Sequence, residues 1–183
     1  MKKIPFLFAL LSVACGGLRA QTFDLVNDRM PVASLDGLWR FHTGDDPSWA
    51  DPNFDDSKWP LLRSDKDWSQ QGYKGYSGMA WYRFQVRVPA GLDHISLYLP
   101  PIYTCYEVFA DGRLIGTYGS MPPKAMPVEG GEDFRVYALP VRVREAREIE
   151  IALRIWHWPV WARYYSHRCG LHGRSGKNHD PVE

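Results

Sequence analysis

Two pairs of neighbouring aspartates are the residues of this sequence best suited to acid–base chemistry. The pairs are Asp45-Asp46 and Asp55-Asp56, and paired carboxylates serve as general acid and base or bind calcium. Both pairs lie in turn-rich segments, where aspartate also turns the backbone through its own side chain. Bond cleavage by two carboxyl groups needs both held across the substrate on a rigid frame, and the spacing does not indicate such a frame. We therefore expect the aspartates to turn the chain, and we predict no catalytic residue.

Metal-ligand side chains occur as one loose group near the end of the chain. The group consists of His167, Cys169, His172 and His179. A structural zinc site normally shows closely paired ligands on an ordered framework, and this group has no second pair. The sequence also lacks a phosphate-binding glycine loop, a Gly-x-Ser-x-Gly elbow and a His-Glu-x-x-His motif. We therefore predict no metal site and no cofactor.

Aromatic side chains in loop-like segments are better candidates for a binding site. The chain has eight tryptophans and ten tyrosines among 183 residues. In residues 68–78 the rings are interspersed with glycines and small polar residues, which combines rigid contact area with hydrogen-bonding groups. The candidate ligand-binding residues are Trp49, Trp68, Tyr73, Tyr76, Trp156, Trp158 and Trp161. The alternative is that these rings cap the core and contact no ligand.

Short β-strands are the elements that would position these loops. Residues 81–89 are the clearest case: Tyr82, Phe84, Val86 and Val88 alternate with Arg83, Gln85 and Arg87. This period of two predicts a strand with one face on a core and the other in water. Further strands are predicted over residues 35–41, 94–99, 105–110, 113–118, 134–139 and 148–155. The Asp111-Gly112 pair between two of them predicts a hairpin.

Residues 43–80 are rich in turn-forming glycine, proline and aspartate and show almost no regular pattern. A structureless loop of this length is uncommon in a compact domain, so we expect short turns or a helical turn within it, anchored by tryptophan and phenylalanine rings. These anchors are Trp49, Phe54, Trp59 and Trp68. Since no amphipathic helix is evident elsewhere, the fold class is predicted to be all-β, an antiparallel β-sandwich or jelly roll.

Charge and cysteine content limit the class of partner. Of the 22 basic residues three lie in the first twenty, which leaves 19 basic and 21 acidic residues beyond. This balance does not suit a nucleic-acid partner and favours an uncharged one. Cys105 lies in a strand-like run and is expected to be a small buried hydrophobe. Together with Cys169 it makes no disulfide framework.

The first twenty residues resemble an export signal. Lys2 and Lys3 precede an apolar stretch, and residues 18–20 offer a cleavage site before Gln21. The protein is therefore expected to be exported, to the periplasm or the cell exterior. A retained membrane anchor and a lipid anchor at Cys15 are the alternatives. The predicted organisation is a signal peptide (1–20), a lead-in segment (21–34), the β-sandwich (35–165) and a disordered polar tail (166–183).

Four motifs in order resemble the sugar-binding domain of glycoside hydrolase family 2, a jelly roll of the galactose-binding-like class. They are residues 35–41 (LDGLWRF), 54–59 (FDDSKW), 81–89 (WYRFQVRVP) and 107–116 (EVFADGRLIG), with Asp111 where the family's hairpin has Asn. The resemblance covers residues 35–158. It implies a non-catalytic domain, since that family carries its catalytic glutamates on a later (β/α)8 barrel.

Two departures point to a second group. Residues 118–123 (YGSMPP) replace a His and paired glycines before Pro-Phe that the hydrolases usually show. Residues 44–50 and 68–82 are closer to the extracytoplasmic sensor regions of bacterial membrane proteins, some of which end in SpoIIE-like serine phosphatase domains. The resemblance to these regions implies a sensor input module.

The function favoured by the sequence is non-catalytic binding of a carbohydrate or small polar ligand by an exported β-sandwich. As a sensor input module it would be part, or a truncated form, of a larger signalling protein. One alternative is a structural or interaction domain that contacts a membrane-anchored or neighbouring domain. Another is an accessory sugar-binding domain of a glycoside hydrolase whose barrel is absent.

Overall fold

The computed structural model describes residues 20–25, 33–92, 94–99, 102, 105–124, 134–140 and 144–157. They form nine β-strands and two short 3-10 helices. The strands are β1 Thr22–Asp24, β2 Leu38–Thr43, β3 Leu61–Arg63, β4 Gly78–Val88, β5 Ser96–Leu99, β6 Cys105–Ala110, β7 Arg113–Tyr118, β8 Arg135–Ala138 and β9 Arg147–His157. The predictions for residues 1–19 and for the polar tail lie outside the described residues.

Seven of these strands form one large sheet in the order β3-β2-β4-β9-β6-β7, with β1 beside β4. β1 and β2 share one edge of β4, because β2 pairs with residues 80–83 and β1 pairs in parallel with residues 85–87. β5 and β8 form a second, antiparallel sheet. The predicted fold class, an all-β antiparallel sandwich, is confirmed, with β1–β4 as a parallel pair.

The core lies between the inner face of the large sheet and the small sheet. Alternate residues of the two longest strands point into it: Ala80, Tyr82, Phe84, Val86 and Val88 from β4, and Ile149, Ile151, Leu153 and Ile155 from β9. Leu97 and Leu99 of β5 pack against them. Each such side chain stabilises the fold by roughly 1.5–3 kcal/mol when fully buried. The period of two in the sequence predicted this face.

The outer face of the large sheet was predicted to lie in water, and for Arg83 this prediction is wrong. The Arg83 side chain is only 1% exposed. Residues 44–60 fold across this face and bring Trp49, Phe54 and Trp59 against Trp81 of β4. Alternation in a strand separates its two faces but does not reveal whether a loop covers the second one.

Two of the strands were not predicted. β1 lies in the lead-in segment, and β3 lies in the turn-rich region. Each has three residues, too few to display a period of two. Phe23 of β1 nevertheless enters the core and packs edge-on against Phe84.

The small sheet approaches the large one at a glycine. A Cβ atom at Gly116 of β7 would lie 2.0 Å from Cε1 of Tyr137 on β8, which no side chain could occupy without moving the ring. The Tyr137 hydroxyl donates a hydrogen bond to the Tyr106 hydroxyl on β6 (3.0 Å). The missing side chain of Gly116 therefore allows β8 to dock on the hairpin of β6 and β7.

Candidate functional site

The loop between β3 and β4 carries three of the candidate ligand-binding rings and begins with a 3-10 helix, Trp68–Gln71. The Asp67 side chain accepts a hydrogen bond from the Ser69 amide (2.6 Å) and so caps the start of this helix. Gly72 ends it in a left-handed conformation (φ 101°), which glycine adopts without strain. The expected helical turn in this region is thus confirmed.

The side chain of Gln71 fixes the loop to β3. Its Oε1 accepts a hydrogen bond from the Arg63 amide (2.7 Å), while its Nε2 donates to the carbonyl oxygens of Arg63 (3.0 Å) and Lys66 (3.1 Å). One amide side chain thereby satisfies both backbone groups of Arg63 and the carbonyl group of Lys66. These three hydrogen bonds hold the loop against β3.

Five rings meet where this loop reaches the sheet, and we call them the end cluster: Phe41, Trp68, Tyr73, Tyr76 and His157. Trp68 is at the centre, 5.5 Å from Phe41, 5.9 Å from Tyr76 and 5.1 Å from His157 between ring centroids. Tyr73 packs edge-on against Phe41 at 4.7 Å. Trp68 is 2% exposed, whereas Tyr73 and Tyr76 are partly exposed. The buried Trp68 ring therefore supports Tyr76, and the buried Phe41 ring supports Tyr73.

Among the polar atoms of the end cluster, the Tyr76 hydroxyl is bound by the protein on both sides. The Tyr76 hydroxyl donates to the Met79 carbonyl oxygen (2.5 Å) and accepts from the Gly44 amide (3.3 Å). Burial raises the pKa of Tyr73 and lowers the pKa of His157. His157 Nδ1 is buried without a hydrogen-bond partner. The cluster thus presents uncharged aromatic surface at neutral pH.

Trp49 and Trp156 lie on the outer face of the large sheet, away from Tyr73. Trp49 packs between His42 (4.8 Å) and Trp59 (5.0 Å). Trp156 of β9 lies opposite Met79, whose carbonyl oxygen binds Tyr76, so it is at the same end of the sheet as the end cluster. Both rings are partly exposed. Trp158 and Trp161 lie outside the described residues.

Two of the four aspartates turn the backbone, as expected. Asp46 accepts a hydrogen bond from the Ser48 amide (2.8 Å) at the start of the 3-10 helix Pro47–Ala50, and Asp55 accepts one from the Ser57 amide (3.0 Å). These short loops from a side-chain oxygen to a backbone amide are the usual role of aspartate in turns. Neither carboxylate is placed opposite a second one.

The other two aspartates form ion pairs that sequence reasoning missed. Asp45 binds Arg154 of β9 (2.6 and 2.8 Å) and accepts a hydrogen bond from Trp81 Nε1. The hydrogen bond from Arg154 holds the pKa of Asp45 below its usual range. The third Arg154 nitrogen, Nη1, donates to Glu107 Oε2 (2.8 Å). We call residues 44–60, which fold across the outer face, the covering loop. Asp45 therefore anchors the covering loop to β9 and stays ionised, so it does not suit the role of a proton donor.

Arg83 holds the covering loop at its centre. Its Nε donates to Asp56 Oδ2 (2.7 Å), and its Nη1 donates to the carbonyl oxygens of Trp49 and Asp51. Glu150 of β9 lies 3.3 Å from Arg83 Nη2, as an ion pair without hydrogen-bond geometry. Burial raises the pKa of Glu150 to about 7. Alternation gave no signal for this carboxyl group, since a glutamate on the outer face was expected to be solvated.

Cys105 is fully buried, as predicted. Burial raises the pKa of its thiol to about 11, so it is not a nucleophile at neutral pH. Among the residues that the structure describes, no three His, Cys, Asp or Glu side chains are grouped to hold a metal ion. The described part of the chain also contains no helix long and apolar enough to cross a membrane.

Comparison with known proteins places the fold. No protein-family model and no curated protein matches the sequence. Among solved structures, a β-glucuronidase from Bacteroides uniformis is similar over 67% of this chain, with a TM-score of 0.53 and 24% identity. A glycosyl hydrolase family 2 member from Bacteroides cellulosilyticus is similar over 70%, with a TM-score of 0.56 and 22% identity. At these identities the similarity shows a shared fold alone.

The matched region is a small part of those enzymes. It spans 14% of the B. uniformis chain and 18% of the B. cellulosilyticus chain. The protein therefore has the β-sandwich fold of one domain of larger glycoside hydrolase structures.

Proposed function

We propose that this protein is an exported, non-catalytic carbohydrate-binding domain whose ligand contacts Tyr73 and Tyr76, the partly exposed tyrosine rings of the end cluster. The observation that carries the proposal is the arrangement of Tyr73 and Tyr76: both rings are partly exposed, and each packs against a buried ring, Phe41 for Tyr73 and Trp68 for Tyr76. Rigid, preformed aromatic surface binds with a small loss of conformational entropy. The uncharged character of this surface suits a neutral sugar.

The remaining candidate residues take different parts in this proposal. Trp156 lies at the same end of the sheet but on its outer face, and Trp158 and Trp161 follow it in sequence. Trp49 would serve a ligand only on the outer face. Trp68 contributes by packing against Tyr76, since its own ring has almost no exposed area.

The larger context follows from the resemblances. The fold shared with one domain of glycoside hydrolase structures supports an accessory sugar-binding domain. The sequence similarity to extracytoplasmic sensor regions supports an input module of a signalling protein. Either role needs the same ligand-binding event, which makes sugar binding the property to test first.

The test is a thermal-shift screen of the chain from Gln21 onward against neutral mono- and oligosaccharides. A ligand at about 100 times its Kd stabilises the folded state by about 2.7 kcal/mol, which is readily seen as a higher Tm. We expect Tyr73→Ala and Tyr76→Ala to abolish the shift. Leu114→Ala, which removes an exposed apolar side chain on β7, is the matched control and should retain it.

A ligand whose shift survives both tyrosine substitutions would place binding elsewhere and contradict the proposal. Trp68→Ala is a poor test because this ring is buried, so the variant would lose stability whether or not a sugar binds. Hydrolysis of nitrophenyl glycosides by the purified protein would show instead that it is an enzyme.

A further inference from the structure

The outward face of the small sheet is apolar, although the open face of an antiparallel sheet is ordinarily polar. Leu97 and Leu99 of β5 point into the core, and Tyr137 of β8 reaches inward to Tyr106. The residues that alternate with them face outward, and all are exposed: Ser96, Tyr98, Phe134, Val136 and Ala138. None of these five side chains carries a charge.

Two stacked rings dominate this face. Tyr98 and Phe134 lie 5.0 Å apart between ring centroids, at an interplanar angle of 19°, and are 54% and 50% exposed. Val136, directly opposite Tyr98 in the register, is 63% exposed. We call Tyr98, Phe134 and Val136 the ring platform. Stacking holds the two aromatic side chains in place although each is half in water.

The exposed area of the ring platform limits which kinds of partner it can bind. Half-exposed aromatic side chains offer about 100 Å² each, and with Val136 the platform presents about 300 Å². A stable protein interface buries about 800 Å² on each partner. The platform is therefore too small to hold a second copy or a neighbouring domain by itself. It does fit a ligand made of ring-sized units.

The shape and charge of the platform narrow the ligand further. Small molecules are usually bound in concave pockets, whereas the open face of a two-stranded sheet offers a shallow surface suited to an extended chain. The absence of charge disfavours an ionic ligand. The Ser96 hydroxyl and the Tyr98 phenol supply hydrogen-bonding groups beside the rings.

We propose that the ring platform is a second binding site, which takes the C–H faces of a neutral polysaccharide. This inference rests on the proposed function, since it assumes that carbohydrate is the ligand class. A polysaccharide long enough to reach both the ring platform and the end cluster would bind more tightly than a ligand that contacts one of them. A short oligosaccharide engages only one of them.

The test is affinity electrophoresis in native gels that contain a soluble neutral polysaccharide: hydroxyethyl cellulose, xylan, laminarin or galactomannan. We expect a Tyr98→Ala/Phe134→Ala double variant to lose about 5- to 10-fold in affinity for the polymer that retards the wild-type chain. Tyr98→Phe keeps the ring and should retain the affinity. Leu114→Ala is the surface control, and circular dichroism checks that each variant is folded.

The outcomes separate the two proposals. If Tyr73→Ala weakens retardation and the double variant does not, the ring platform is not a site, while the end cluster stands. If the double variant weakens retardation and Tyr73→Ala does not, the platform stands and the end cluster fails. If no polymer retards the wild-type chain, or light scattering shows a dimer that the double variant abolishes, the platform proposal is overturned.

Discussion

Glu150 carries a carboxyl group that is almost completely buried, beside the Arg83 guanidinium and near Asp56. Burial favours its protonated form, and the attraction to Arg83 does not offset this, so its pKa rises from an ordinary 4.5 to about 7. Between pH 4.5 and about 7, Glu150 is therefore protonated in the folded protein but ionised in the unfolded chain. Protonation of Glu150 stabilises the fold fully below pH 4.5, and this contribution is lost as pH rises to about 7.

We therefore predict that Glu150→Gln reduces the pH dependence of stability. The difference in free energy of unfolding between pH 5 and pH 8 should shrink by up to a few kcal/mol, since one pKa unit corresponds to about 1.4 kcal/mol. Urea unfolding at the two pH values measures it. Glu148→Gln, an exposed glutamate on the same strand, controls for the loss of one negative charge. An unchanged slope in Glu150→Gln would exclude this carboxyl as the cause.

Asp111 shows how one residue joins a hairpin to its neighbour. Its backbone adopts a left-handed conformation (φ 47°) in the turn between β6 and β7. Its Oδ1 accepts a hydrogen bond from the Glu150 amide (3.0 Å), its amide donates to the Glu150 carbonyl (2.9 Å), and Arg147 binds Oδ2. The turn is therefore tied to β9 as well as to its own strands.

Replacement of Asp111 should distinguish these roles. Asp111→Asn keeps the side-chain acceptor and tolerates the left-handed backbone, so it should cost under about 0.5 kcal/mol for the exposed ion pair with Arg147. Asp111→Ala loses the acceptor and strains the turn, and should cost roughly 1–3 kcal/mol. Thermal unfolding of both variants measures the difference. Equal losses would mean that the ion pair, rather than the hydrogen bond, holds the turn.

At the scale of elements, the covering loop of residues 44–60 depends on arginines that project from the sheet. Arg40 Nη1 donates to the Trp59 carbonyl oxygen (2.8 Å), and Arg83 binds Asp56 and two loop carbonyl groups. Around them, Trp49, Phe54 and Trp59 pack on Trp81. The loop is thus a layer of the fold, although its own backbone contains little regular structure.

Arg83→Met should release this layer. Removal of Arg83 leaves the buried Glu150 without its counter-charge and Asp56 with only the longer ion pair to Arg40 (3.9 Å), at a cost of about 3–5 kcal/mol. Hydrogen exchange should show loss of protection in residues 44–60 before the rest of the chain. Arg87→Met, on the same strand but 57% exposed, should have little effect. Unchanged protection of the loop in Arg83→Met would show that aromatic packing alone retains it.

The sequence predicted where most of the strands lie, but it predicted less well which of their faces and loops are buried. Period-two alternation located β4, β5 and β9 because both faces of a strand differ in polarity, and the Asp111-Gly112 pair located the hairpin. Trp68 was expected both as a loop anchor and as a ligand-binding candidate, and the sequence did not decide between these roles, since ring-rich loops look alike whether they face water or the core; its burial fits the anchor. The ring platform was missed for a related reason: alternation in β8 shows that Val136 and Tyr137 face opposite ways, but not that the side bearing Arg135 is the inner one.

At the scale of the whole molecule, both faces of the large sheet are covered by aromatic side chains. The same strands contribute residues to the layer on each face. Trp39 and Trp68 lie on the inner side and Trp81 on the outer side. β4 and β9 contribute to both layers over eleven paired residues, so loss of their pairing removes the support of both layers together.

We predict a single cooperative unfolding transition. Tryptophan fluorescence, which reports on both layers, and far-ultraviolet circular dichroism, which reports on the strands, should give coincident urea curves. A fluorescence change that precedes the loss of strand signal would indicate that one layer opens first. Arg83→Met is the variant in which such a separation is expected, because its covering loop is loosened.

The Cys105 thiol is enclosed where β6 runs beside β9, opposite Trp156. With Cys169 replaced by serine in the chain from Gln21 onward, it is the only sulfhydryl group left. A maleimide dye would then label Cys105 only when the central strands part, because a buried and protonated thiol cannot attack the maleimide. The labelling rate of Cys105 therefore measures how often these strands open, and it does so without any denaturant.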